Sequence, residues 1–303
     1  MHRLVTPSIA FSVLLTLGIS AAQAQTEVTA VLAGHAVLPL SSSVAAPKEA
    51  GPLLATAGKF TASNRLRTDA LGNIPGVTFV GDAKYPRKSG GSLPIKGQSV
   101  QGFSGIVSLG KNQFLTLTDN GFGSKINSQD ALLMVHHVAA DWAKGTVTRQ
   151  RTIFLRDPDR KVPFFIQNEN TAARYLTGAD FDPEGAGPNC PNEPRVDCFT
   201  RPAKFKRIFK IDFSQLDADG FVKKVAFIDL IKISNPKLVA KRGSNEANFV
   251  LPHLGPEGLT VVDTTHIVVV NDNNFLFSSG RIIGQPDDNE LTSLNIQALV
   301  DAR

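Results

Sequence analysis

Cysteine and methionine are scarce: the 303 residues hold two of each. Two cysteines exclude a disulfide-dense scaffold and leave no cysteine-built zinc cage. Strong charge is absent too. The formal net charge is +5, and no Lys/Arg run is interleaved with aromatics, so nucleic acid is not an expected partner. What the chain does have is apolar content, and 42% hydrophobic residues supply a core and exclude disorder along the whole length. The 25 glycines and 18 prolines argue against a long helical bundle.

The first 24 residues read as a signal peptide. Arg3 precedes an apolar stretch over residues 9–19, and Ala22-Gln23-Ala24 offers a small-x-small cleavage site. The stretch is shorter than the roughly 20 residues that span a bilayer, and no basic stop follows it, so no membrane span is expected after cleavage. A periplasmic or secreted location follows. In that oxidising space Cys190 and Cys198, within a Pro/Asn-rich loop, are expected to pair as a disulfide. Residues 25–58 are Ala, Ser, Pro and Val without clear periodicity, which predicts a loosely ordered arm.

After Arg65 short apolar runs alternate with Gly, Asn, Asp and Pro, at residues 77–80, 106–109, 114–117, 132–138, 152–155, 205–213, 225–231 and 267–270. Many short strands, and hence an all-β fold, are predicted. Asp217-Ala218-Asp219-Gly220 lies between two such runs and reads as a hairpin turn, because the further ligands of a calcium-binding loop are missing. An internal repeat organises the rest. Residues 104–121, SGIVSLGKNQFLTLTDNG, match residues 257–274, EGLTVVDTTHIVVVNDNN, slot for slot from a Gly to an Asp-Asn pair. A Gly-started strand, a tight turn and a second strand ending in polar residues is what a β-propeller blade supplies. A third start, Asp182-Pro183-Glu184-Gly185, echoes Gly255-Pro256-Glu257-Gly258 and is not completed.

Several segments carry a family likeness in a fixed order: Gln101-Gly102-Phe103-Ser104-Gly105-Ile106, Thr118-Asp119-Asn120-Gly121-Phe122-Gly123, Leu176-Thr177-Gly178-Ala179-Asp180-Phe181-Asp182, and Phe205-Lys206-Arg207-Ile208. Asn271-Asp272-Asn273-Asn274, Ser278-Ser279-Gly280-Arg281 and Pro286-Asp287-Asp288-Asn289-Glu290 complete it. Together they resemble the exported bacterial "esterase-like activity of phytase" (phytase-like) proteins. The resemblance implies a β-propeller from residue 59 to residue 303, secreted or periplasmic, with phosphoesterase or esterase activity on a small-molecule substrate. The chain departs from the family in its middle, where residues 183–189 stand in place of a longer stretch. Its length then allows five or six blades at most, in a smaller ring or an open one.

Asp119, Asn120, Asp272 and Asn273 occupy equivalent repeat positions, and Glu184 and Glu257 another shared one. Carboxylates and amide oxygens on one face are hard ligands that suit Ca²⁺, which would neutralise a phosphate and polarise water. The competing reading is that each Asp-Asn pair bonds its own backbone in a turn. Arg281, beside Ser278-Ser279-Gly280, is a candidate substrate contact. Arg207 shares the apolar face of its run, where it requires a partner, either a structural carboxylate or an anionic ligand. His136 and His137 point to opposite strand faces and cannot serve one site. His253 and His266 are isolated in sequence and are expected as structural residues. Two functions are consistent with these features: a metal-assisted hydrolase of phosphoesters or esters, and a non-catalytic propeller that binds a ligand or protein, the shortened middle having removed activity.

Overall fold

The computed structural model describes residues 25–60, 74–78, 87–118, 121–122, 128–159, 161, 203–243, 245–253, 255–275, 280–282 and 285–303. Ten strands and one short helix position the site. They are β1 (Val31–Leu38), β2 (Phe103–Gly110), β3 (Gln113–Thr118), β4 (Met134–Asp141), β5 (Thr146–Phe154), β6 (Arg207–Leu216), β7 (Val222–Asp229), β8 (Gly255–Val261), β9 (His266–Asp272), β10 (Asn289–Asn295) and α1 (Gln297–Asp301).

Alternation makes the first sheet. In β4 the burial pattern has period two, with Met134, His136, Val138 and Ala140 inward. β2, β3, β4 and β5 pair in sequence order, each antiparallel to the next. A second four-stranded antiparallel sheet is ordered β8-β9-β10-β1, so its fourth strand comes from the opposite end of the chain. β9 and β10 are covered on both faces, as central strands are. The two sheets touch at their outer strands through one Cα pair, Thr146 with Val37. At the other end of this path β2 lies against β8. Ser108 N donates to Thr260 Oγ1 at 3.1 Å, and the path nearly closes on itself.

A third sheet is the β6–β7 hairpin with Thr26–Glu27 parallel to β7. Its Asp217-to-Gly220 connection is a turn: Asp217 Oδ1 accepts the N–H groups of Asp219 and Phe221 at 3.0 and 2.8 Å. The β8-β9-β10-β1 sheet is the middle layer. One of its faces, with Val268, Val270, Leu291 and Ala36, packs on the first sheet through Phe103, Ile106 and Phe114. The opposite face, with Ile267, Val269, Leu294 and Leu32, packs on Ala226 and Ile228 of the third. Small antiparallel sheets stacked face to face make this an all-β, incomplete β-propeller-like fold.

Residues 31–38 correct the expectation of a loosely ordered arm. Small residues hide the strand in the sequence, and pairing with β10 from Val31 to Leu38 makes it part of a sheet. Residues 1–24, Cys190 and Cys198 lie outside the described residues, and so do the signal-peptide and disulfide expectations. Among the described residues no helix is long and apolar enough to cross a membrane.

Candidate functional site

The repeat governs the site. Gly105 pairs with Leu117, Ile106 with Thr116, Val107 with Leu115 and Ser108 with Phe114. In the second copy Gly258 pairs with Val270, Leu259 with Val269, Thr260 with Val268 and Val261 with Ile267, the same register. Both hairpins slip at the same point, beside Ser104 in one and at Glu257 in the other. Each therefore carries a bulge that re-aims its polar end. The turns differ. The first uses Gly110, Lys111 and Asn112, all at positive φ; the second is held by Asp263 Oδ1, which accepts the N–H groups of Thr265 and His266 at 2.8 Å each.

The polar ends converge on residues 100–102. Thr118 Oγ1 donates to the Gln101 carbonyl at 2.7 Å, and Gln101 Nε2 donates to the Gly121 carbonyl at 3.1 Å. From the other copy Asn273 Oδ1 accepts the Gly102 N–H at 2.9 Å, and from the start of β10 Asn289 Nδ2 donates to the Val100 carbonyl at 3.0 Å. Asp272 is buried, its Oδ1 accepting the Asn274 N–H at 2.7 Å. Gly255 pairs with Asp272, and the Glu257 carboxylate folds back over Gly255, so both acids sit at one end of the hairpin.

The structure thus brings Asp272, Asn273 and Glu257 to one end. Asp119, Asn120 and Glu184 lie outside the described residues, although Thr118, directly before Asp119, is in place. Ca²⁺ takes six to eight oxygens. Asn273 spends its amide on Gly102 and, through Nδ2, on the Asp287 carbonyl at 3.1 Å. Among the described residues no group of three or more His, Cys, Asp or Glu is arranged to hold a metal. Those residues do not fit a calcium ion by themselves.

Behind this end lies a charged network that local sequence reading missed. Glu290 on β10 is almost wholly buried and receives Arg281 through two contacts, Nη2 to Oε2 at 2.5 Å and Nε to Oε1 at 3.0 Å. His35 Nε2 approaches the same Oε2 at 2.9 Å, and His35 Nδ1 accepts the Lys241 N–H at 2.9 Å. His253 is enclosed, with Nε2 3.2 Å from Glu290 Oε2 and Nδ1 3.6 Å from Asp287 Oδ2. The Asp287 carboxylate also accepts the N–H groups of Gly280 and Arg281 at 2.8 Å each. Asp288 accepts Arg242 Nε at 2.8 Å and the Leu40 N–H at 2.7 Å. Burial opposes the Glu290 charge, and Arg281, His253 and His35 outweigh it, holding the carboxyl well below its ordinary value. Three acids within residues 287–290 were the available signal; their partners are far away in sequence.

The two arginines take unexpected positions. Arg281 is committed internally, since Nη1 donates to the Val250 carbonyl at 2.6 Å and the guanidinium lies 4.7 Å from the Phe249 ring centre. Arg207, expected on a buried face with a carboxylate or anion, is exposed. Its guanidinium stacks over Phe205 and Phe227 at 4.3 and 4.0 Å, because aromatic faces just before β6 and on β7 give a cation a partner without burial.

His136 and His137 do point apart. His136 is buried, its nitrogens against Thr118 Oγ1 at 3.3 Å and Thr152 Oγ1 at 2.9 Å, whereas His137 meets Gln113 Oε1 at 2.7 Å. Burial and the nearby Arg149 push the His136 imidazole down to about 3.

A family model described as "Esterase-like activity of phytase" matches residues 98–188 and 195–275. The chain belongs to the phytase-like family. The match breaks between residues 188 and 195, close to the short joint seen in the sequence. No curated protein matches the chain. Among solved structures, a Bacteroides fragilis protein provisionally assigned as a 6-phosphogluconolactonase aligns at 14% identity with a TM-score of 0.15. The alignment covers 71% of this chain and 65% of the other, and so remote a likeness carries no argument.

Proposed function

We propose that this phytase-like chain is an exported hydrolase, periplasmic or secreted, that cleaves phosphoester or carboxylic-ester bonds of a small molecule at the polar end of the two repeat hairpins. The observation that carries the reading is the shared register, which delivers Asp272, Asn273 and Glu257 to the end where Thr118 leads into Asp119 and Asn120. A buried acid, Asp272, beside an exposed one, Glu257, would supply the general acid and base that ester hydrolysis needs. Calcium joins this reading through Asp119, Asn120 and Glu184, whose oxygens would have to complete the set begun at Asp272. The test is turnover of a chromogenic phosphomonoester and a carboxylic ester, with and without chelator. Asp272→Ala is expected to lower kcat at least tenfold, and turnover unchanged in that variant would overturn the assignment. Loss of activity on chelation, restored by Ca²⁺, would assign the metal role.

A non-catalytic binding propeller is the second reading. It is favoured by the internal commitment of Arg281, Arg242, Asp287, Asp288 and Glu290, which leaves these groups bonded to one another. Absence of turnover on both substrates, together with a ligand-dependent rise in Tm, would select it.

A further inference from the structure

We propose that His253 is a proton-operated clasp: as an imidazolium it binds the segments at residues 250–253, 280–281 and 287–290 to one another, and on losing its proton at alkaline pH it lets them part. The geometry carries this. Each ring nitrogen faces a carboxylate, Nε2 toward Glu290 at 3.2 Å and Nδ1 toward Asp287 at 3.6 Å. Neither contact is aligned as a hydrogen bond, so the attraction is one of charge. A neutral imidazole has an N–H on one nitrogen and a lone pair on the other, which would confront a carboxylate oxygen; only the imidazolium presents N–H on both sides. His35 contrasts with it, since its Nδ1 already accepts the Lys241 N–H and it offers Glu290 one proton at most.

The charges balance only in that state. Arg281 and His253 offset Glu290 and Asp287, and removing one proton leaves an uncompensated buried negative charge. The groups facing the ring are Glu290 on β10 and Asp287 in the loop before it; behind Glu290 stand Arg281 and, on β1, His35. Lys206 Nζ donates to the His253 carbonyl from the segment leading into β6. Burial pushes the imidazole down, and Glu290 and Asp287 push it back further, so its pKa lies above the ordinary histidine value.

The sign follows from linkage. With a raised folded pKa, the native state keeps a proton that the unfolded state releases above about 6.5, so stability is full below that pH and falls as pH rises. The fall ends at the folded pKa. The opening reaches the candidate site, because the Asp287 carbonyl accepts Asn273 Nδ2 and Asn273 in turn holds Gly102.

Urea unfolding of the wild-type chain from about pH 6 to about pH 10 tests the proposal. The folding equilibrium constant is expected to drop up to about tenfold per pH unit above about 6.5 and then to level off. His253→Gln should remove that slope. If His253→Gln does not fold, two measurements still decide the matter. Asp287→Asn should make the fall end at a lower pH, and nitrogen-detected NMR of the wild type, followed upward from about pH 6.5, should show one histidine that keeps protons on both nitrogens after the others have lost one. A wild-type stability that is flat across the window, a fall that ends at the same pH in Asp287→Asn as in the wild type, or histidines that all lose their second proton together would each overturn the proposal.

Discussion

The two copies of the repeat agree in register and in bulge, and they differ in what lies beneath their polar ends. Under the β2–β3 hairpin is His136, set between the hydroxyls of Thr118, whose proton goes to the Gln101 carbonyl, and Thr152. Under the β8–β9 hairpin are Glu290, Asp287, Arg281 and His253, where every charge answers another. The same register and the same bulge at the polar end thus support two kinds of interior, although the first hairpin has a further slip beside its turn. The hydroxyl setting tolerates a neutral ring, while the charged one requires specific protonation and exact partners.

The largest expected effect tests the charged interior. Arg281→Ala leaves Glu290 buried with His253 as its remaining cationic partner, and should cost about 3–5 kcal/mol in urea unfolding. A loss under about 1 kcal/mol would place the weight of the network elsewhere.

Next comes the contrast between the histidines. The His136 pKa is depressed, so the unfolded state takes up a proton as pH falls below about 6.5 while the native state does not until pH nears the His136 value of about 3. Its contribution is therefore present above that window and lost by up to about 1.4 kcal/mol per pH unit within it. His136→Gln should flatten the acid limb of a stability–pH curve and leave the alkaline limb unchanged. His253 acts in the opposite direction, so one variant affecting both limbs would erase the distinction.

A smaller effect separates the repeat glycines. A Cβ on Gly258 would lie 2.6 Å from Val270 Cγ2 and 3.2 Å from Ile106 Cγ2, whereas one on Gly105 would meet Leu117 Cβ at 3.4 Å. Gly258→Ala should cost about 1–3 kcal/mol through overpacking. Gly105→Ala should fall within about 1 kcal/mol of wild type, since reduced freedom of the unfolded chain offsets ordinary contact. Equal Tm shifts for the pair would contradict the close approach of β8 to β2. Smallest of all, Arg207→Ala should cost about 0.5–1 kcal/mol, the size of an exposed cation–π contact, and leave turnover unchanged.

The hairpins were legible because their signals are local. Gly105 and Gly258 open them, Gly110-Lys111-Asn112 and Asp263-Thr264-Thr265 turn them, and apolar runs alternate between. β1 and β10 were not. β10 reads Asn-Glu-Leu-Thr-Ser-Leu-Asn and is buried on both faces, so no period-two contrast marks it. Its polar side chains are tolerated inside because distant groups receive them: Glu290 meets Arg281, and its N–H is taken by Asn271 Oδ1 at 2.6 Å. The network escaped for the same reason, as His35 and Glu290 stand 255 positions apart. Arg207 misled because alternation assigns a face without saying whether another layer covers it.

The fourth place in the β8-β9-β10-β1 sheet belongs to a strand made long before its neighbour β10. During synthesis Val31–Leu38 has to wait, with its β10-facing N–H and C=O groups unmatched, until residues 289–295 emerge. Completion of that sheet is therefore a late event that joins the two ends of the described chain.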